Sequence, residues 1–149
     1  MVEVANRNKS QAPTQTDFLR RPPHSMEAEQ AIVGGLLLDN EAFDNISHVL
    51  SEVDFYRIEH RILFQVIAQL ARKGQPFDVV TLLDALKTTN QLDDVGGETY
   101  LFELANNTPS IANLAAYAEI VREKSVQRQL IGIAGEIADS AYNPGAREV

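Results

Sequence analysis

The chain has 149 residues, of which 44% are hydrophobic and 23% are charged, and its formal net charge is −8. This size suits one domain with one core, and the acidic balance argues against a surface that binds duplex DNA chiefly through phosphates. The absence of cysteine excludes disulfides, thiolate metal sites and a cysteine nucleophile. Because we find neither a membrane-length apolar run nor a secretory signal, we expect a soluble, cytoplasmic protein.

The first helix is expected to follow a polar tail. Residues 1–22 show almost no apolar periodicity, which is typical of a disordered segment. Ser25 is a suitable N-cap for a helix that runs to about Leu38. Gly34 and Gly35 lie in the middle of this helix, where each costs about 1 kcal/mol relative to alanine. We therefore expect another helix backbone to approach closely at this point; the alternative is a break in the helix.

Three more helices are predicted between residues 39 and 89, before a polar turn that starts at Asn90. Asp39 or Asn40 should cap the second helix, which would place Phe43, Ile46, Val49 and Leu50 on one face. The third helix should end at Gly74. Asp78 should cap the fourth helix, with Phe77 and Leu82 at the spacing of a hydrophobic staple. Seven residues of the third to fifth helices are predicted to be core: Leu63, Phe64, Ile67, Leu82, Leu86, Leu101 and Leu104.

The remaining chain predicts a short fifth helix over Glu98–Asn107 and a long last helix capped by Ser110. The fold class is therefore all-α: a compact globule of about five short helices followed by a long helix. We place the globular subdomain at residues 23–110, the long helix at residues 111–143, and a turn or linker at residues 144–149.

The second half of the long helix carries an apolar seam. Its residues are spaced by four, three, four and four positions, as in the a and d positions of a coiled coil. Such a seam with no partner in its own chain indicates a missing partner, although the helix could instead fold back on its own globule. The seam, our candidate subunit or partner interface, consists of Val126, Leu130, Ile133, Ile137 and Ala141.

No catalytic, cofactor-binding or metal site is predicted. None of the eight glycines is followed by lysine, so a Walker A loop is absent, as is a G-x-G-x-x-G motif. The three histidines have no metal-ligand spacing. His60 lies on a core-facing stripe and is expected to be a satisfied, partly buried histidine. Arg122, Lys124 and Arg128 are interleaved with glutamates, which favours a solvated mixed face over a track for phosphates.

Four segments resemble the N-terminal domain of the DnaB-type replicative DNA helicases of bacteria. They are distributed along the chain from Pro23 to Ile131, and their order and spacing together are more specific than any one of them. The segments are PHSMEAEQAIVGGLLLD, DFYRIEHRILF, GQPFDVVTLLDAL and TPSIANLAAYAEIVREKSVQRQLI.

The resemblance implies a collar domain that mediates subunit assembly and docks primase. In that family the long helix is the first arm of a hairpin, and hairpins of adjacent subunits pair within a hexamer that encircles DNA. The ATPase domain, with its ATP and magnesium, would follow; we therefore expect this chain to be an excised piece of a helicase and not itself an enzyme. Two alternatives from the residues are a helical DNA-binding regulatory module and a small helical enzyme that pairs His60 with a carboxylate.

Overall fold

The computed structural model describes residues 21–146, which form six α-helices and no β-strand. The all-α prediction is confirmed, whereas the predicted disorder of residues 1–22 falls almost wholly outside the described residues. Short 3₁₀ turns occupy Glu52–Asp54, Asp93–Val95, Ile111–Asn113 and Pro144–Ala146. The helices are α1 (Met26–Leu38), α2 (Ala42–Ser47), α3 (Ile58–Arg72), α4 (Val79–Thr88), α5 (Gly97–Asn106) and α6 (Leu114–Tyr142).

Helix α1 runs through the centre of the globule and contacts α3, α5 and α6. It is buried on all sides over most of its length, as expected for a helix that is apolar around its circumference. A Cβ at Gly34 would collide with the backbone oxygen of Leu104 in α5, and one at Gly35 would collide with Leu114 in α6. The two glycines therefore permit the predicted close approach of neighbouring helices, and α1 continues through them unbroken.

The seven predicted core residues are all buried. They belong to one apolar cluster to which every helix contributes. Ser25 caps α1 as predicted, since its hydroxyl accepts from the backbone N–H of Ala28 at 3.2 Å. None of the helices within residues 21–146 combines the length and the apolar content that a membrane span requires.

The corner between α3 and α4 has the predicted construction. Gly74 adopts a left-handed φ of 72°, and Asp78 caps α4 by accepting from the backbone N–H of Thr81 at 2.9 Å. Phe77 and Leu82, the predicted staple, are both buried.

The predicted cap and the predicted length of α2 are both wrong. Asn40 does not cap it; the amide of Asn40 instead accepts from Phe77 N at 2.8 Å and donates to Phe77 O at 2.8 Å and Leu36 O at 3.0 Å. The side chain is thus committed to joining the end of α1 to the α3–α4 corner. Helix α2 begins after Glu41 without a side-chain cap and ends at Ser47, so Val49 and Leu50 lie beyond it, although Leu50 is still buried.

The long helix α6 has 29 residues and would extend about 43 Å at 1.5 Å per residue. It begins three residues later than predicted, because Ile111–Asn113 first form a 3₁₀ turn, a common way to enter a helix. The Ser110 side chain makes no capping hydrogen bond there.

Candidate protein-interaction surface

Helix α6 has one half that belongs to the core and one that does not. Its buried residues are Leu114, Ala118, Val121 and Ser125, at helical spacing along one face. From Val126 to Tyr142 no residue is buried. The helix therefore packs on the globule for about three turns and then projects into solvent as an arm, residues 126–142.

The predicted seam lies on this arm and is open to solvent. The exposed fractions are 37% for Val126, 59% for Leu130, 53% for Ile133 and 65% for Ile137, and Ala141 is also exposed. At about 100° per residue the five side chains share one stripe. The seam thus does not fold back on its own globule, and its role as an interface remains a prediction.

A second apolar strip, which was not predicted from the sequence, runs beside the seam. Ile131 is 57% exposed and Tyr142 is 84% exposed, and Ala134 and Ala138 lie between them in exposed positions. The strip lies about 100° around the helix from the seam. The same helical arithmetic applied to every apolar residue of the arm would have found it.

Together the seam and the second strip cover about half of the circumference of the arm. A single partner helix needs only a narrow a/d seam. A face of this width can pack against two helices at once.

Asp54 holds α6 at the point where it leaves the globule. Its side chain is 3% exposed, and Oδ1 accepts from Nη1 of Arg122 at 2.8 Å and from Oγ of Ser125 at 2.7 Å. The other oxygen, Oδ2, accepts from the backbone N–H of Ser51 at 2.9 Å. One buried carboxylate therefore joins the loop before α3 to two consecutive turns of α6.

Arg128 adds a second connection one turn further along. Its guanidinium donates through Nη1 to Pro23 O at 2.7 Å and through Nη2 to Asp54 O at 2.6 Å, and it lies 5.5 Å from the centre of the Tyr56 ring. Partial burial lowers the pKa of Arg128 from its ordinary value. The predicted solvated mixed face holds for Arg122, whose side chain is 46% exposed although it pairs with Asp54. It is wrong for Arg128, which is partly buried and bound to two carbonyl oxygens. We call Asp54, Arg122, Ser125 and Arg128 the exit clasp.

His60 belongs to a buried polar network. Its Nδ1 lies 2.8 Å from Oε1 of Glu29, and its Nε2 lies 2.7 Å from the hydroxyl of Tyr100, which accepts from Nε2 of Gln30 at 3.1 Å. Because a carboxylate oxygen accepts, Nδ1 donates to Glu29, and in the neutral ring Nε2 then accepts from the hydroxyl of Tyr100. Each polar group then has a partner, and the expectation of a satisfied histidine is confirmed, with fuller burial than expected.

The same Glu29 carboxylate supports the start of α3. It accepts from the backbone N–H of Tyr56 at 2.7 Å and of Arg57 at 3.3 Å, the residues that lead into that helix. Two cavities beside the network, of about 80 and 280 Å³, are lined by Tyr100 and not by His60. His60 is 1% exposed, so its pairing with the Glu29 carboxylate lies inside the globule, where it stabilises the fold.

Within residues 21–146 there is no cluster of histidine and acidic residues that could hold a metal ion. The arrangement is that of an all-α module whose last helix leaves a wide apolar face exposed to solvent. Residues 21–123 match the family of the DnaB-like helicase N-terminal domain. The chain belongs to this family.

Sequence and structure relatives agree with that membership. The chain is 44% identical over 128 residues to the replicative DNA helicase DnaB of Haemophilus influenzae, which covers 86% of this chain and 27% of that protein. A crystal structure of the N-terminal domain of DnaB helicase from Mycobacterium tuberculosis is similar with a TM-score of 0.79 and 34% identity, covering 82% of this chain and 88% of that chain.

A third relative has been solved as a larger molecule. The structure of a DnaB-like replicative helicase and its interactions with primase is similar with a TM-score of 0.68 and 28% identity, covering 80% of this chain and 29% of that chain. The chain thus spans about a quarter to a third of the length of the helicases that it matches.

Proposed function

We propose that this chain is the N-terminal collar domain of a hexameric replicative DNA helicase and mediates the assembly of its subunits. The exposed apolar half of α6 is the observation that carries the proposal. Soluble proteins rarely leave a contiguous apolar face of this size uncovered unless it binds another protein. The similarity to replicative helicases supports a helicase hexamer as the assembly that this face would join.

The width of the apolar face suggests how the arm is covered. The seam would pack against the long helix of a second subunit, and the second strip would then face a further helix of the assembly. Small residues at Ala134 and Ala138 would permit a close approach between helices. This arrangement accounts for a face twice as wide as a single coiled-coil contact needs.

Docking of primase is the second part of the proposal. The solved DnaB-like replicative helicase that this chain resembles is described by its interactions with primase. By this proposal the collar offers the docking surface in the cytoplasm. Unwinding of the encircled DNA, together with ATP and magnesium, would belong to a separate ATPase domain, and the present chain would not be an enzyme by itself.

A double substitution in the seam tests the assembly role. Ile133→Asp with Ile137→Asp places two charges in the centre of the seam and should weaken self-association in sedimentation by tenfold or more, on the order of 1.4 kcal/mol or above. Circular dichroism should show that the globule stays folded, because neither side chain belongs to the core.

A matched control is Lys124→Glu, which changes the net charge by the same two units on the same helix before the arm. It should leave association nearly unchanged. If the double variant associates as the unchanged chain does while remaining folded, the seam is not the interface. Binding of primase to the same variants then shows whether docking depends on assembly.

The alternative of a helical DNA-binding regulator has less support. The net charge is −8, and two of the three basic residues of its best candidate face, Arg122 and Arg128, bind Asp54. Salt-sensitive binding of duplex DNA by the isolated chain would favour that alternative.

A further inference from the structure

We propose that Asp54 and Arg128 are positioning residues that fix the direction in which the arm of α6 leaves the globule, and thereby the register of its contact with a partner. The first half of this inference concerns the isolated chain. The second half, the register, rests on the proposed assembly function.

The order of contacts along α6 supports the inference. Val121 is the last apolar residue of the helix in the core, and beyond it α6 is held to the globule by the hydrogen bonds of Ser125 and Arg128 and by the stacking of Arg128 on Tyr56. Ser125 binds the Asp54 carboxylate, and Arg128 binds two carbonyl oxygens. The exit clasp is therefore the outermost attachment of the helix.

Polar contacts of this kind are directional, whereas apolar packing is not. The guanidinium of Arg128 is planar, and its donors point in fixed directions. They reach the carbonyl oxygens of Pro23 and Asp54, which belong to two different segments, while Tyr56 lies across its face. Satisfying all three contacts permits only a narrow range of helix directions.

The length of the arm amplifies any error in that direction. Fourteen residues follow Arg128 in α6, a projection of about 21 Å at 1.5 Å per residue. A pivot of about 10° at Arg128 would move the tip by about 4 Å, which is close to half of the usual distance between packed helices. Knobs of the seam would then miss the holes of a partner.

Asp54 acts through both of these attachments. Its carboxylate orients Ser125 and Arg122, and its backbone oxygen accepts from Arg128. The capping contact with Ser51 N fixes the carboxylate itself. The turn Glu52–Asp54 therefore holds α6 in a fixed direction relative to the globule.

Pulsed electron paramagnetic resonance distances test the first half. The chain has no cysteine, so Lys87→Cys on α4 and Asp139→Cys on the arm, both at exposed positions, introduce two unique label sites. Ile133→Asp and Ile137→Asp are included to keep the molecule monomeric. Arg128→Ala should broaden the distance distribution about twofold as the pivot loosens, and Arg128→Lys should give an intermediate width because lysine lacks the planar fork.

The control is Lys124→Ala, which removes the same charge from the same helix and should leave the width unchanged. A narrow distribution in both Arg128 variants, equal to that of the unchanged chain, overturns the inference. If Arg128→Ala does not fold, the distribution for Arg128→Lys decides alone.

Association tests the second half with the seam intact. Arg128→Ala should weaken self-association by about tenfold although no seam residue is changed, because the arm is no longer preorganised. Unchanged association alongside a broadened distribution rejects the effect on register and keeps the effect on direction. If the unchanged chain itself does not associate, the proposed function fails, and the distance measurement still decides the inference.

Discussion

Glu29 and His60 form a buried pair, with Oε1 and Nδ1 2.8 Å apart and both side chains almost fully removed from solvent. The pair connects the central helix α1 to α3, and Glu29 also accepts from the two backbone N–H groups that lead into α3. A buried carboxylate with three donors is costly to remove, because each donor is then left without a partner.

Glu29→Ala should therefore destabilise the fold by about 3 kcal/mol or more. Urea unfolding at neutral pH, followed by circular dichroism, measures the change in the free energy of unfolding. Glu27→Ala is the matched control, since Glu27 lies in the first turn of the same helix and is exposed; its cost should stay below about 1 kcal/mol. Equal losses for both variants would contradict the role assigned to the network.

Gly34→Ala should destabilise the fold by about 1–3 kcal/mol, because the added methyl group collides with the backbone oxygen of Leu104. Gly132→Ala provides the opposite case. A Cβ at Gly132 meets no atom within 4 Å, and alanine is the better helix former by about 0.5–1 kcal/mol. Thermal unfolding should therefore show opposite signs for the two substitutions, and equal signs would argue against the close contact of α1 with α5.

Asn40→Ala should cost about 1–3 kcal/mol, because the buried Phe77 backbone loses both of its partners. Hydrogen exchange at the Phe77 amide should accelerate at the same time. Asn45→Ala, at an exposed position of α2, is the control and should have little effect. Unchanged exchange at Phe77 would show that Asn40 does not hold the α3–α4 corner.

The ion pair of Glu59 with Arg57 predicts how the stability of the fold depends on pH. The hydrogen bond from Arg57, 2.9 Å away, lowers the pKa of Glu59 to about 2. Because the pKa is depressed in the folded state, the pair contributes stability above the ordinary value near 4.5 and loses it as the pH falls toward 2.

The Arg57 side chain is 43% exposed, so solvent screening limits this contribution to below about 1 kcal/mol. An NMR titration of the Glu59 carboxyl should show the low pKa, and Arg57→Ala should return it toward its ordinary value. An ordinary Glu59 pKa in the unchanged chain would contradict the prediction.

The second strip of the arm predicts a separable effect on assembly. Ile131→Asp should reduce the size of the largest assembly in sedimentation by removing one of two helix contacts, while contacts through the seam persist. Ile133→Asp, on the seam, should affect the smaller assembly as well. Identical sedimentation profiles for the two variants would indicate one contact surface instead of two.

Most of the fold could be predicted from helical periodicity and local capping. Ser25 and Asp78 cap the starts of α1 and α4, and Gly74 follows the end of α3, as their residue types predict. The seven predicted core residues are buried, as the apolar stripes of their helices indicate. These signals are local in sequence, so one chain suffices to interpret them.

The long-range polar contacts could not be predicted from periodicity and capping. Asn40 looked like a cap because asparagine is a common cap, but its partner Phe77 lies 37 positions away. Asp54 and Arg128 are likewise 74 positions apart. Periodicity carries no information about which distant polar groups meet, and such pairs emerge only when the helices have packed.

One continuous helix belongs to both the core and the exposed apolar face, and this continuity has a thermodynamic consequence. Any partner that binds the arm only when α6 is helical must also favour the folded globule, by mass action. The melting temperature of the globule should consequently rise with the concentration of the chain. Subunit association and folding would then be thermodynamically coupled, because both require α6 to be helical.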